Sequence, residues 1–148
     1  MGSSSGDIII LDIQNIQKPK QIIQVESRVY SLCQIDESTF ASGHYNGSIK
    51  IYSKSNNNNS FIFKYSIKQC NKSIYKLIYI KQKQILISSC YVENKIDIYK
   101  KEEEDCFKLK ETLQHNRVSY LVEKNNGMFI SGGRDENIKI WEASCSSF

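Results

Sequence analysis

Three side chains in the last third of the sequence are of types that perform nucleophilic catalysis together: His115, Ser131 and Asp135. An imidazole beside a serine hydroxyl can take its proton, and a carboxylate can orient the imidazole. Their surroundings do not suit that chemistry. Ser131 stands in ISGG rather than in a GxSxG elbow, and no segment provides an oxyanion hole. The five cysteines, Cys33, Cys70, Cys90, Cys106 and Cys145, are widely spaced, with no CxxC pair and no histidine at ligand spacing. They read as free thiols rather than as a disulfide framework or a zinc site. No phosphate-binding glycine loop is present, so the sequence predicts no catalytic residue, cofactor or metal.

The elements that would position these side chains are short strands. Ser131 ends an apolar strand, a polar Gly-Gly turn containing Asp135 follows, and a strand alternating Ile138, Lys139 and Ile140 closes on Trp141, the only tryptophan. Before it, residues 7–13 (DIIILDI) form a β-branched run suited to a well buried strand, Pro19 marks a turn, and residues 21–25 form another strand. Residues 28–35 lead through a polar turn into TFASGHY, then Asn46-Gly47 and SIKIYS. Asn-Gly between strands predicts a type I′ hairpin, with positive φ at both central positions. Residues 54–60, with four consecutive asparagines, predict an exposed flexible loop. Strands resume over 61–67, 73–80, 85–90 and 95–99. The mixed-charge segment 100–105 reads as a solvated connection, and strands over 107–113 and 118–123 lead to Asn126-Gly127 and the closing unit. Helical periodicity is nowhere sustained.

With 148 residues, 40% hydrophobic and 24% charged, the chain can bury a core. Its net charge of +4 is too slight to imply nucleic acid by itself. No apolar run approaches the roughly 20 residues of a membrane-spanning helix. MGSSSG at the start reads as a disordered leader, and free thiols with no signal core predict a cytoplasmic or nuclear location.

Two anchors show that the chain repeats. The pairs Ile8/Ile10, Ile49/Ile51, Ile96/Ile98 and Ile138/Ile140 recur at offsets of 41, 47 and 42 residues. An apolar residue with leucine three positions on, at Val29/Leu32, Ile74/Leu77 and Val118/Leu121, recurs at offsets of 45 and 44. Periods of about 40 to 45 residues belong to repeat architectures.

SGGRDENIKIWE, residues 131–142, resembles the signature of the WD-repeat family. SGHYNGSIKIYS, residues 42–53, is similar, with Asn46 at the Asp position and Tyr52 at the Trp position. SSCYVENKIDIYK, residues 88–100, is a degenerate copy ending on tyrosine. The resemblance implies an all-β fold of four-stranded antiparallel β-propeller blades, their strands named a to d from the axis outward. On that map residues 7–25 form a partial blade, 28–67 and 73–113 two whole blades and 117–142 a further partial blade, flanked by a leader over 1–6 and a tail over 143–148. Closed propellers need about four to eight blades. The expectation is therefore an incomplete or open propeller of about three blades, closed by further blades or by another chain.

The resemblance also gives the opening triad a structural role. The Trp141 indole donates to Ser131, Ser131 donates to His115, and the other imidazole nitrogen donates to Asp135. His115 departs from the pattern, lying three residues before Val118 and lacking a preceding glycine. The first whole blade has no histidine before strand a, and the middle one lacks the Asp as well, so only the last unit is expected to carry the full set. Partner binding in the family uses the face of d–a loops and b–c turns, where Arg28, His44, Tyr45, Tyr91, Arg117 and Arg134 fall by register. Arginine and tyrosine are favoured contact residues, and three arginines on one rim suit an acidic or phosphorylated peptide. The expected function is a non-catalytic protein-interaction scaffold, a subunit or fragment of a larger assembly. The alternative, from the lysine excess and the tyrosines, is an RNA-binding or ribonucleoprotein-associated propeller subunit.

Overall fold

The computed structural model describes residues 6–103 and 105–143, whose backbone forms 13 β-strands and two short 3-10 turns. A hairpin of β1 (Asp7–Asp12) and β2 (Asn15–Gln24) comes first. The first four-stranded sheet follows as β3 (Val29–Gln34), β4 (Thr39–His44), β5 (Ser48–Lys54) and β6 (Phe61–Lys68). The second is β7 (Ile74–Ile80), β8 (Ile85–Cys90), β9 (Lys95–Lys101) and β10 (Phe107–Gln114). The third contains β11 (Tyr120–Lys124), β12 (Met128–Gly132) and β13 (Ile138–Glu142). Every pairing is antiparallel and joins neighbours in sequence. Short turns make that the least costly topology, since each strand meets its partner without a long loop to close. Among the described residues no helix is long and apolar enough to cross a membrane.

The innermost strands hold the sheets together. β7 lies against both β3 and β11, and the Leu77 N–H donates to Ser31 Oγ across the β7–β3 seam at 2.9 Å. The sheets therefore fan out from a shared inner line as propeller blades do, in an open row.

Two apolar layers fill the spaces between blades. Ala41, Ile49 and Ile51 of the first sheet meet Ile74, Leu77, Leu86 and Tyr99 of the second. On the other face Ile85, Ile87, Ile96 and Ile98 meet Val118, Leu121 and Phe129. The middle sheet is covered on both sides, and this explains why all six residues of β8 (ILISSC) are buried without polar alternation. Each enclosed Ile or Leu contributes about 1.5 to 3 kcal/mol relative to leaving it in water. The close approach of the first two sheets depends on Gly43, where a Cβ would stand 2.7 Å from Ile74 Cγ2.

Several local expectations are corrected. Pro19 lies within β2, opposite Leu11 at a register shift, and the hairpin turns at residues 13–14 instead. A proline is tolerated there because β2 is an edge strand and its pairing is irregular at that point. The DIIILDI run is not deeply buried. Ile8 is enclosed, but the rest of β1 is only half-buried or exposed, because a two-stranded hairpin covers only one face, and Ile13 is 93% exposed because it falls in the turn. At Asn46-Gly47 only Gly47 has positive φ (79°), and Gly47 N–H donates to the His44 carbonyl. The turn is thus a three-residue loop closed by a glycine, with the Asn46 side chain accepting from Ser48 N and Oγ. The asparagine-rich loop is exposed over residues 56–59, in line with the sequence, and Ser55 N–H donating to the Ser60 carbonyl at 2.7 Å closes it. Gly6, assigned above to the leader, is buried and accepts from Val25 N–H, whereas residues 1–5 and 144–148 of the leader and tail lie outside the described residues. Ala143 is 2% exposed and belongs to the second apolar layer.

Candidate functional site

The triad residues meet at the junction of β10, β12 and β13. Trp141 Nε1 donates to Ser131 Oγ at 2.7 Å, and Ser131 Oγ lies 2.6 Å from His115 Nδ1. His115 Nε2 lies 3.2 Å from Asp135 Oδ1. A carboxylate only accepts, so Nε2 carries the imidazole proton and Nδ1 accepts the Ser131 hydroxyl. Burial acts to raise the Asp135 pKa, but hydrogen bonds from Asn137 and the adjacent His115 outweigh it and hold the carboxyl below its ordinary range. Ser131 is fully buried and His115 is 2% exposed. An acyl carbon has no approach to the Ser131 oxygen, which is enclosed by its own partners. Despite the short spacing to Val118, the chain between β10 and β11 brings His115 into place, with Arg117 adopting positive φ (46°) and donating its N–H to Asn94 Oδ1.

The other blades build related links from different residues. In the first, His44 is 0% exposed, which removes it from the candidate rim. It follows Ser42 by two positions on β4, so both side chains point to the same face of the sheet. Nε2 lies 2.7 Å from Ser42 Oγ and Nδ1 lies 3.1 Å from the Ser27 carbonyl. That carbonyl requires the proton on Nδ1, so Ser42 donates to Nε2. Burial lowers the His44 pKa and keeps the ring neutral. The Tyr52 hydroxyl stands beside Ser42, as the Trp141 indole stands beside Ser131. In the middle blade Ser88 donates to Gln69 Oε1 at 2.5 Å, and Tyr99 interacts with both Ser88 and Asp97. Asp97, in the middle of the IDI strand, is 2% exposed and accepts from Thr112 Oγ1 at 2.6 Å.

Above these links lies a continuous row of rings. Tyr45 meets Tyr30 edge-on with centroids 6.1 Å apart, and Tyr30 meets Tyr75 at 5.3 Å. Tyr75 stacks on Tyr91 at 4.7 Å, and the Arg134 guanidinium lies 5.6 Å from the Tyr91 centroid. The row crosses all three sheets on the face of the β4–β5, β8–β9 and β12–β13 turns. It unites three of the predicted rim residues, Tyr45, Tyr91 and Arg134. Arg28 is exposed beside it, its carbonyl accepting from Tyr45 N–H, and Arg117 is exposed at the start of the third sheet.

Tyr30 and Tyr75 escaped the sequence reading. Both directly follow the first residue of the apolar/leucine anchor, and both sit where the inner strand skips a residue against its partner. Such a bulge turns the extra side chain out of the ladder. The recurrent tyrosine after Val29 and Ile74 was the available signal. The structure also brings Cys70 and Cys90 together, a contact that their separation in sequence conceals.

Residues 107–142 match the family model of the WD domain, G-beta repeat. The matched segment supplies the outer strand of the second sheet and all described strands of the third, so one sequence repeat straddles two blades. No curated protein matches the chain. Among solved structures, it is similar to the crystal structure of Saccharomyces cerevisiae Sqt1, with a TM-score of 0.68 and 11% identity over 78% of this chain and 32% of that one. It is also similar to the WD40 beta propeller domain of Doa1, with a TM-score of 0.66 and 19% identity over 80% of this chain and 38% of that one. The chain thus spans roughly a third of the length of these structures, and the likeness at such identity is one of fold.

Proposed function

We propose that this chain, which carries a WD repeat at residues 107–142 and has the fold of WD40 β-propellers, is a non-catalytic scaffold that binds a protein partner on its tyrosine face. Propellers of this type generally mediate protein–protein interaction. The observation that carries the reading is the row Tyr45, Tyr30, Tyr75, Tyr91 and Arg134, which offers aromatic area already ordered by mutual packing. Rings held in place lose little freedom on binding, and tyrosine and arginine are the residue types on which interface energy concentrates. With Arg28 and Arg134 at the row and Arg117 exposed at the start of the third sheet, an acidic or phosphorylated peptide is the partner chemistry that fits best.

The same proposal includes covering of the third sheet. Its outer face leaves Tyr120 72%, Val122 58%, Ile138 79% and Ile140 60% exposed, a surface that suits a further blade from the same polypeptide or from another chain. A reducing compartment, cytoplasm or nucleus, fits the four free thiols among the described residues.

The test is capture of a partner from native extract by the purified protein and by Tyr75→Ala and Arg134→Glu variants of unchanged circular dichroism. Retention by the wild type and a loss of at least about tenfold in the variants supports the proposal. Equal retention by all three overturns it. Capture that nuclease abolishes, falling steeply with salt, assigns the stacked tyrosines to RNA instead.

A further inference from the structure

The β6–β7 connection and the end of β8 place two thiols and a carboxylate in one small cluster. Cys70 is 5% exposed and Cys90 0%. Their sulfurs and a Glu93 oxygen all lie within 4.8 Å of one another. The cluster is held from several sides. Gln69 and Cys70 N–H both donate to the Gly47 carbonyl, and Gly47 fits so tightly that a Cβ there would come within 2.0 Å of the Cys70 carbonyl oxygen. Asn71 N–H donates to Glu93 Oε1 at 2.9 Å, fixing the carboxylate against the same loop. Glu93 is only partly exposed, so the cluster has a buried sulfur side and a solvent side.

We propose that Cys70, Cys90 and Glu93 form a binding site for a zinc-class divalent cation. The two sulfurs and one carboxylate oxygen serve as protein ligands, and a solvent water completes a tetrahedron. Thiolates select borderline-soft ions over magnesium or calcium. Zinc holds sulfur at about 2.3 Å and carboxylate oxygen at about 2.0 to 2.2 Å, so its ligands stand somewhat under about 4 Å apart. On binding, both S–H bonds break, two sulfur–metal bonds form and two protons leave to solvent. Two thiolates and a carboxylate leave a dication-filled site with an excess negative charge. The Lys95 ammonium, 3.2 Å from Glu93 Oε2, offsets it. Tyr91 lies between Cys90 and Glu93 in the chain, so the ion would also fix the turn that carries the last ring of the tyrosine row.

The experiment is an anaerobic titration of the purified, reduced protein with Co²⁺, read by sulfur-to-cobalt charge-transfer absorption. The expected result is a band saturating at one equivalent and displaced by Zn²⁺. Cys70→Ser and Cys90→Ser abolish it, and Cys33→Ser leaves it intact. Glu93→Gln, at a partly exposed position, keeps the fold and weakens Co²⁺ binding by about tenfold or more. If circular dichroism shows that the serine variants unfold, Glu93→Gln decides, and unchanged affinity in it overturns the site. Absence of a stoichiometric band in the wild type, or a band that survives in folded serine variants, overturns it as well. So does a Cys70–Cys90 disulfide formed in air by a protein that takes up no Co²⁺ when reduced, which makes the thiols a redox pair.

Discussion

The first and last blades tie the same serine to the same kind of ring, but they recruit the third partner from opposite places. In the last, His115 arrives from the loop before the inner strand, offers Nδ1 to Ser131 and turns Nε2 toward Asp135. In the first, His44 sits two residues after Ser42 on the same strand, offers Nε2 and turns Nδ1 to the Ser27 carbonyl. What the fold requires is therefore a lone pair for the serine proton, from whichever direction a side chain can reach it. Gln69 meets the same requirement for Ser88 with an amide oxygen. The blades differ in a second respect. Tyr52 is 1% exposed and packs against Phe40 and Phe63, whereas Trp141 is half-buried beside a sheet face open to solvent. The first blade is secured mainly by apolar enclosure, and the last depends more on its polar link.

That contrast can be broken by substitution. Tyr52→Ala should have the largest effect, about 3 to 5 kcal/mol lost in urea unfolding, since it empties a closed aromatic site. Trp141→Ala should cost less, about 2 to 3 kcal/mol, with the loss of hydrogen-exchange protection concentrated in β11, β12 and β13. If Trp141→Ala proves the more damaging, enclosure is not what distinguishes the blades.

Ser131→Ala should remove about 1 to 3 kcal/mol by orphaning the indole N–H and the imidazole nitrogen. A sharper test uses pH. Folding lowers the proton affinity of His44, so below the unfolded value of 6.5 the unfolded chain binds more protons than the folded one. The stability tied to neutral His44 is complete above pH 6.5 and is lost as pH falls through the lower folded value. Thermal unfolding between neutral and mildly acid pH should show this decline, and His44→Gln should flatten it. The smallest effect belongs to Arg134→Glu, which should change stability by no more than about 0.5 kcal/mol in the same unfolding assay while altering only what the tyrosine face binds.

Much of the architecture was readable in advance because it rests on local pattern. Ile49/Ile51, Ile96/Ile98 and Ile138/Ile140 alternate with period two, and alternation marks a strand whatever surrounds it. The link from Trp141 to Ser131 and His115 followed only from the resemblance of residues 131–142 to the WD-repeat signature, and the links in the other two blades were not foreseen. Errors arose where a side chain had more than one physically sound use. Register alone placed His44 in a turn facing solvent, yet a ring two residues from Ser42 shares its face and is drawn inward by the hydroxyl and the Ser27 carbonyl. Pro19 signalled a turn, and an irregular edge strand accommodated it.

By itself the sequence determined the repeat and the hairpin order of strands within each blade, because hairpin-linked strands bring together residues close along the chain. Tertiary structure alone decided the rest. A skipped residue in β3 and in β7 turned Tyr30 and Tyr75 outward into one row, and the Gly47 contact folded the β6–β7 connection so that Cys70 met Cys90. Those juxtapositions depend on how blades pack against one another, and no spacing within a single repeat encodes that distance.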